Sequence, residues 1–388
     1  MKKLLKDICT QIRGVSYKPT DIRSESDGIP ILRANNIQDD GIGLDDLVYV
    51  DAKKVHDEQY LQNGDIVICA SSGSKNLVGK AATYNKNIKA SFGAFCKTVR
   101  VNKSNDICLE FIQQFFQSKA YRNAISELSI GANINNIKTE HIDELEINLP
   151  PIPEQEQIAA TLDKLQSAIN NKKQQLTLLD EAVKSEFVEM FGEEPVESGK
   201  WKVRKLGDVA SDVKYGTSYS AVENGQYKYL RMNNLTSDGY LNLEDLKFID
   251  ISDDEYEKFV VRKGDILFNR TNSREHVGKT TLYNLDEEMI IAGYLIRVRF
   301  YKEVNPYFFV QFMNIPYMKR VLKKTARGAV NQANINSQEL KSLLIPVPPI
   351  NLQNQFAAFV QQIDKSKFVL HQQLKFTEKY AIMFKEIK

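Results

Sequence analysis

Apolar positions along this chain change period, and they do so twice in the same order. Short runs such as "DIVIC" (65–69), "DILFN" (265–269) and "GYLIRVRFY" (293–301) are continuous or alternating and sit between polar turns. That pattern predicts β-strands. Aromatic-bearing stretches at 109–125 and 307–324 each read as one helix. Beyond each mixed stretch the period becomes helical and stays so. The apolar residues fall at Ile158, Leu162, Leu165, Ile169, Leu176, Leu179 and Val183, in steps of four and three with one slot skipped at Lys172. This is a heptad seam. The matching slots further on hold Phe356, Val360, Ile363, Lys367, Leu370 and Leu374, then more weakly Thr377 and Ala381. Two seams in one register favour two long helices packing on each other. Because a mixed domain separates them, a pseudo-twofold arrangement makes them antiparallel. About 35 residues at 1.5 Å each give a rod of about 50 Å.

Each long helix is announced by one phrase, "LPPIPEQEQIA" at 149–159 and "VPPINLQNQFA" at 347–357, a separation of 347 − 149 = 198 positions. Paired prolines end an extended segment and cannot lie inside a helix. The same offset, within a few positions, relates "ILRANNI" (31–37) to "YLRMNNL" (229–235), and "VGKAATYN" (78–85) to "VGKTTLYN" (277–284). It also relates "NGDIVI" to "KGDILF", "GANINNI" to "GAVNQANI", and "LKDICTQI" to "LGDVASDV". The chain is a tandem duplication of one large unit. The expected fold is α+β: two similar mixed α/β domains at 1–150 and 193–348, with helices at 151–192 and 349–388 forming an antiparallel coiled coil.

Composition changes this picture little. The 388 residues are 42% hydrophobic and 26% charged, with a net charge of +2, so charge alone does not announce a nucleic-acid binder. No apolar run reaches the ~20 residues of a membrane span, and no signal peptide is expected. Cys9, Cys69, Cys96 and Cys108 form no C-x-x-C pair and read as reduced thiols of a cytoplasmic protein. No metal spacing occurs among the four histidines. "SREHVGKT" (273–280) ends like a phosphate-binding loop but lacks its first glycine, and a strand follows where a helix is required. "NPYF" and "NIPY" are fragments of a methyltransferase motif without a cofactor loop. No catalytic residue is expected in this chain, and no metal site.

Two similar heads held apart suit a long, repetitive ligand, and duplex DNA is one. Arginine and asparagine are common readers of guanine and adenine edges. The candidates for DNA binding are Arg33, Asn35 and Asn36 in the first domain and Arg231, Asn233 and Asn234 in the second. The loops after the "GDI" strands add Ser72, Ser74, Lys75 and Asn76, then Arg270, Asn272 and Arg274. The amide-rich segments add Asn133 and Asn135, then Arg327, Asn331 and Gln332. A basic stripe at Lys319, Arg320, Lys323, Lys324 and Arg327 could follow phosphates. Plainer readings stand beside these. Asparagine also serves turns, so "LRxNN" could be a strand and turn kept for folding, and the stripe a solvated helix face. A coiled-coil adaptor with protein-binding heads is the alternative function.

The full length resembles the specificity subunits of type I restriction–modification systems. The resemblance rests on the two "PP-I" junctions, the "PEQEQIAATLDKL" helix start, "EMFGEEPVESGKWKVRKLGDV" leading into the second half, and the paired "GDI" strands. The second junction departs from it, lacking the proline and acid of "PIPEQ". The resemblance implies two target-recognition domains, each reading half of a split double-stranded DNA site. It implies helices that act as a spacer and bind two modification subunits, with restriction subunits joining them. S-adenosylmethionine, ATP and magnesium are then expected on those partners and no cofactor in this chain. The chain itself would be a non-catalytic, cytoplasmic protein with no membrane contact.

Overall fold

The structure, a computed structural model, describes residues 1–38, 41–74, 77–128, 135–329 and 332–387. The chain separates into two compact units, Met1–Lys172 with Gln373–Lys388, and Lys173–Gln372. Each unit therefore holds one mixed domain and a half of each long helix, a division that cuts across the helices rather than at their ends.

The two mixed domains share one topology. In the first, strands Cys9–Arg13, Cys96–Val101, Ile66–Cys69 and Ala81–Thr83 form an antiparallel sheet in that spatial order. In the second, Ala210–Tyr215, Leu295–Phe300, Ile266–Asn269 and Thr280–Leu282 repeat it. The "GDI" strands are covered on both faces, which is why they read as continuous apolar runs rather than alternating ones. Ile66 and Ile68 enter one core cluster and Val67 and Cys69 another. Ile266 and Phe268 are likewise separated from Leu267. A smaller sheet adjoins, with Ile29–Leu32 parallel to Ser91–Phe92 and Tyr227–Leu230 parallel to Met289–Ile291.

The "GDI" glycines, Gly64 and Gly264, turn at φ +95° and +96°. Each following aspartate is buried and grips an arginine two-pronged. Asp65 receives Arg100 at 2.8 and 2.7 Å, and Asp265 receives Arg299 at 2.6 and 2.8 Å.

Where one helix was expected at 109–125, two occur, Leu109–Phe116 and Lys119–Leu128, and likewise Pro306–Asn314 and Pro316–Thr325. In the second domain Pro316 lacks the N–H needed to continue the first helix. In the first, the Ser118 hydroxyl accepts from the Tyr121 N–H, the local bond that starts a new helix.

The long helices span Ile152–Phe191 and Ile350–Ile387. The repeated junction phrase now has a physical reason. One glutamine in each copy is fully buried and bonds three backbone groups. Gln155 accepts from the Cys108 N–H (2.9 Å) and donates to the carbonyls of Asp106 (3.0 Å) and Pro150 (2.8 Å). Gln353 does the same with Asn305 (2.8 Å), Glu303 (3.0 Å) and Pro348 (2.7 Å). The proline and acid missing from the second copy are not part of this arrangement, which forms in both copies. Strands Lys2–Leu4 with Glu146–Asn148, and Lys202–Lys205 with Leu344–Val347, close each domain just before its helix.

In the first unit Ile158, Leu162 and Ile169 are buried, and Leu165 and Phe384 join the cluster of Ile158 and Leu162; Leu374 is half-buried. In the second unit Leu176, Val183, Phe356 and Val360 are buried, with Leu179, Ile363 and Leu370 half-buried. There Phe187 meets Phe356 (ring centroids 5.5 Å) and Asp180 meets Lys367 (2.5 Å), so residue numbers rise along one helix as they fall along the other. Among the described residues no helix is long and apolar enough to cross a membrane.

Candidate nucleic-acid interface

The "LRxNN" segments prove to be turns, and their geometry reassigns several candidates. Arg33 precedes a single 3-10 turn, Ala34–Asn36. Asn36 is 1% exposed; its carbonyl oxygen accepts from the Arg33 N–H (2.9 Å) and its amide donates to the carbonyls of Asp45 (2.7 Å) and Gly43 (3.2 Å). The Arg33 guanidinium holds Asp46 through its carbonyl (2.6 Å) and carboxylate (2.7 Å). The second copy is the same device. Asn234, also 1% exposed, accepts from the Arg231 N–H (2.8 Å) and donates to the Asn242 carbonyl (2.9 Å). Arg231 holds Asp245 at 3.0 and 2.7 Å. Asn36 and Asn234 thus spend their polar atoms on the backbone and cannot face a base, and Arg33 and Arg231 brace the same turn. Only Asn35 and Asn233 remain exposed.

The other two candidate groups are brought together in both domains. Ser71–Ser72 pairs with Asn135–Asn136, setting Ser72 opposite Asn135. Thr271–Asn272 pairs with Gln332–Asn334, which also pairs with Arg327–Ala329. The loop after the "GDI" strand and the amide-rich segment, some 60 residues apart, therefore form one small antiparallel ladder. Ser72 accepts from the Ser74 N–H (3.1 Å), and Ser74 is exposed. Asn272 accepts from the Ser273 N–H (2.8 Å), and Arg274 and Gln332 are exposed. Arg270 lies over the Tyr215 ring at 4.8 Å. Arg327 pairs with Glu339 at 2.6 Å while 83% of its side chain stays exposed. Lys75, Asn76, Asn133 and Asn331 lie outside the described residues.

The basic stripe is broken up. Lys319 is turned inward onto Asn314 (2.7 Å), and burial, with Lys279 nearby, pushes its ammonium down to about 8. Arg320 is held by Glu194 at 2.5 Å. Lys323, Lys324 and Arg327 are exposed.

Sequence reasoning missed a groove of about 410 Å³ beside the first ladder. Its lining includes Arg13, Lys97, Lys138, Asn136 and one acid, Glu140. Lys97 donates to Thr139 (2.8 Å). Burial, then the neighbouring Arg13, lowers its pKa against the opposing pull of Asp143 and Glu140. These residues are far apart in sequence, so no local motif marks them.

A duplicated domain that twice presents side-chain amides on a short ladder, with cations beside the first and on the second, defines a class of paired nucleic-acid-reading modules. The chain belongs to the family described as "Type I restriction modification DNA specificity domain", whose model matches residues 1–179 and again 198–376. It is 32% identical over 374 residues to the type I restriction enzyme EcoKI specificity subunit of Escherichia coli, covering 92% of this chain and 80% of that one. It is 31% identical over 374 residues to the StySPI specificity subunit of Salmonella potsdam, with the same coverage of 92% and 80%. Among solved structures, the S subunit of a type I restriction–modification system from M. genitalium superposes with a TM-score of 0.59 at 15% identity, over 99% of this chain and 94% of that one. A chain from a structure concerned with complex assembly and conformational transition of the type I system gives 0.54 at 16%, over 100% and 96%. Those two likenesses establish the fold. Family membership does not favour the adaptor alternative.

Proposed function

We propose that each mixed domain reads one half of a split duplex-DNA sequence, while the long helices fix the gap and dock two modification subunits. The observation that carries this reading is the paired ladder: both domains bring the same two polar segments to one edge. Phosphate contacts from Arg13, Lys138, Lys323 and Lys324 would position the duplex, and exposed amides and Arg274 would touch bases. The chain supplies recognition and no catalysis. Methyl transfer from S-adenosylmethionine belongs to the modification subunits, and restriction subunits with ATP and magnesium add cleavage, all in the cytoplasm.

The test is methylome sequencing of a methylation-deficient host expressing this chain with its cognate modification subunit. One bipartite methylated motif is expected. Methylation without a fixed motif, or methyl transfer by the purified chain alone, would overturn the reading.

A further inference from the structure

One pair of side chains stands out because both repeats leave it in water. Phe95 is 72% exposed and Tyr294 is 53% exposed. A lone exposed aromatic needs no explanation. The same exposure at the same place in both copies does: Tyr219 (50%) and Tyr301 (56%) are exposed as well, but among the described residues the first domain has no second ring as exposed to match them.

The two residues occupy one tight turn. Cys96 N–H bonds the Gly93 carbonyl (2.8 Å) and Leu295 N–H bonds that of Ala292 (2.8 Å). The turn lies so close to a glycine of the neighbouring segment that no side chain would fit between them. A Cβ on Gly14 would lie 2.1 Å from the Gly93 carbonyl oxygen, and one on Gly216 would lie 2.2 Å from that of Ile291. The aromatic residue's own carbonyl anchors the root of the candidate loop. Phe95 accepts from the N–H groups of Ala70 (2.9 Å) and Ser71 (3.0 Å), and Tyr294 from that of Arg270 (3.0 Å). The backbone beneath each ring is thus anchored beside the ladder. In the first domain it adjoins Ala94, which lines the cationic groove. In the second it adjoins Gly293, whose carbonyl lies 3.5 Å from the Arg270 guanidinium.

Rigid backbone, an exposed ring, cations and amides in one place match a nucleic acid better than a protein groove, since every base offers a π-face while phosphates answer the cations. We propose that Phe95 and Tyr294 are DNA wedges, each pressing its ring into the base stack at a step within or beside the half-site that its own domain reads. The proposal rests on the DNA-reading function above and adds residues and a mode of contact to it. The sequence signal is faint: "FGAFC" and "AGYLI" share a glycine and an aromatic, a pair that reads equally well as core.

The experiment uses the complex of this chain with its modification subunit, on duplexes carrying the mapped motif with 2-aminopurine placed step by step through each half. Wild type should brighten the probe at one step per half. Phe95→Ala should abolish the signal in one half only and weaken binding about tenfold to a hundredfold. Tyr294→Ala should do the same in the other half. Phe95→Tyr and Tyr294→Phe should retain both effects. Because the rings are exposed, melting temperatures should not move. Wild type reading its motif while Phe95→Ala binds and brightens unchanged overturns the wedge and leaves the function standing. Affinity lost with no wild-type 2-aminopurine signal overturns insertion. Loss of assembly with the modification subunit, measured by gel filtration without DNA, overturns the DNA assignment of these rings. A wild-type complex with no motif preference sinks the underlying reading instead.

Discussion

The joints between mixed domain and long helices differ in the two units more than the domains themselves do. In the second unit Tyr240 reaches from the domain to the helices. Its hydroxyl donates to Asp364 (3.3 Å), and the Lys367 ammonium lies 3.9 Å from its ring centroid and 2.5 Å from Asp180. Burial pushes the Tyr240 hydroxyl up to about 12 and raises the Asp364 carboxyl as well. In the first unit the corresponding stretch contains Gly41 and Ile42, and the seam slot of Lys367 holds Ile169. A groove of about 810 Å³ remains there, walled by amides such as Gln113, Gln166 and Asn170. The duplication has kept what each domain needs to fold: the two-pronged aspartates, the buried glutamines and the braced turns. It has let one joint become a tight ionic clasp and left the other open.

The largest effect should fall on what is shared. Gln155→Leu and Gln353→Leu each strand one N–H and two carbonyls, a loss of about 3–5 kcal/mol. Unit-resolved hydrogen exchange should show equal damage in the unit altered. Unequal damage would mean that the junctions are not equivalent.

The clasp comes next and should be private to the second unit. Lys367→Met leaves Asp180 and Asp364 without their cation, costing about 3 kcal/mol there. Adding Asp180→Ala should recover much of the loss. If exchange in the first unit changes as strongly, the clasp is not local.

A smaller contrast depends on pH. Lys319 has its ammonium lowered to about 8 by burial, whereas the first unit has Arg122 at that position, bonded to the Val78 carbonyl at 2.9 Å. Between about 8 and the ordinary lysine value the unfolded chain holds a proton that the folded one has released. The second unit should therefore gain about 3 kcal/mol as pH rises through that window, with no gain beyond it. Arginine stays charged throughout, so the first unit should not follow. Lys319→Met should flatten the second unit's profile, which denaturant melts at stepped pH would reveal.

The smallest effect concerns the braced turns. Arg33→Ala and Arg231→Ala remove ion pairs whose acids are largely exposed, about 1 kcal/mol or less. Stability measured by denaturant should shift that little, and the motif read by the complex should stay the same. A changed motif would restore these arginines as base readers.

The duplication, the junctions and the heptad seams were legible because each is a pattern spread over many residues. The purpose of the junction was not, because Gln155 finds its partners at Cys108 and Asp106, nearly 50 residues earlier. The "LRxNN" segments were visible as motifs but ambiguous in role, since one arginine and two amides suit a turn and a base edge equally. Burial withdraws Asn36 and Asn234 from the surface and leaves Asn35 and Asn233 on it. The cationic groove and the clasp depend on contacts between distant strands and helices, which a single sequence does not encode locally.

The buried glutamine at each junction also bears on inheritance. It recognises only backbone, one N–H and two carbonyls, and so is indifferent to most side chains of the domain it holds. A gene segment encoding a different recognition domain, spliced between two such junctions, could keep this contact so long as it also offers apolar residues to the start of the helix, as Phe111 and Ile112 share a core with Ile158 and Leu162. The fold thereby separates what can be exchanged by recombination from what must be kept, and a chain could acquire a new target in a single genetic event.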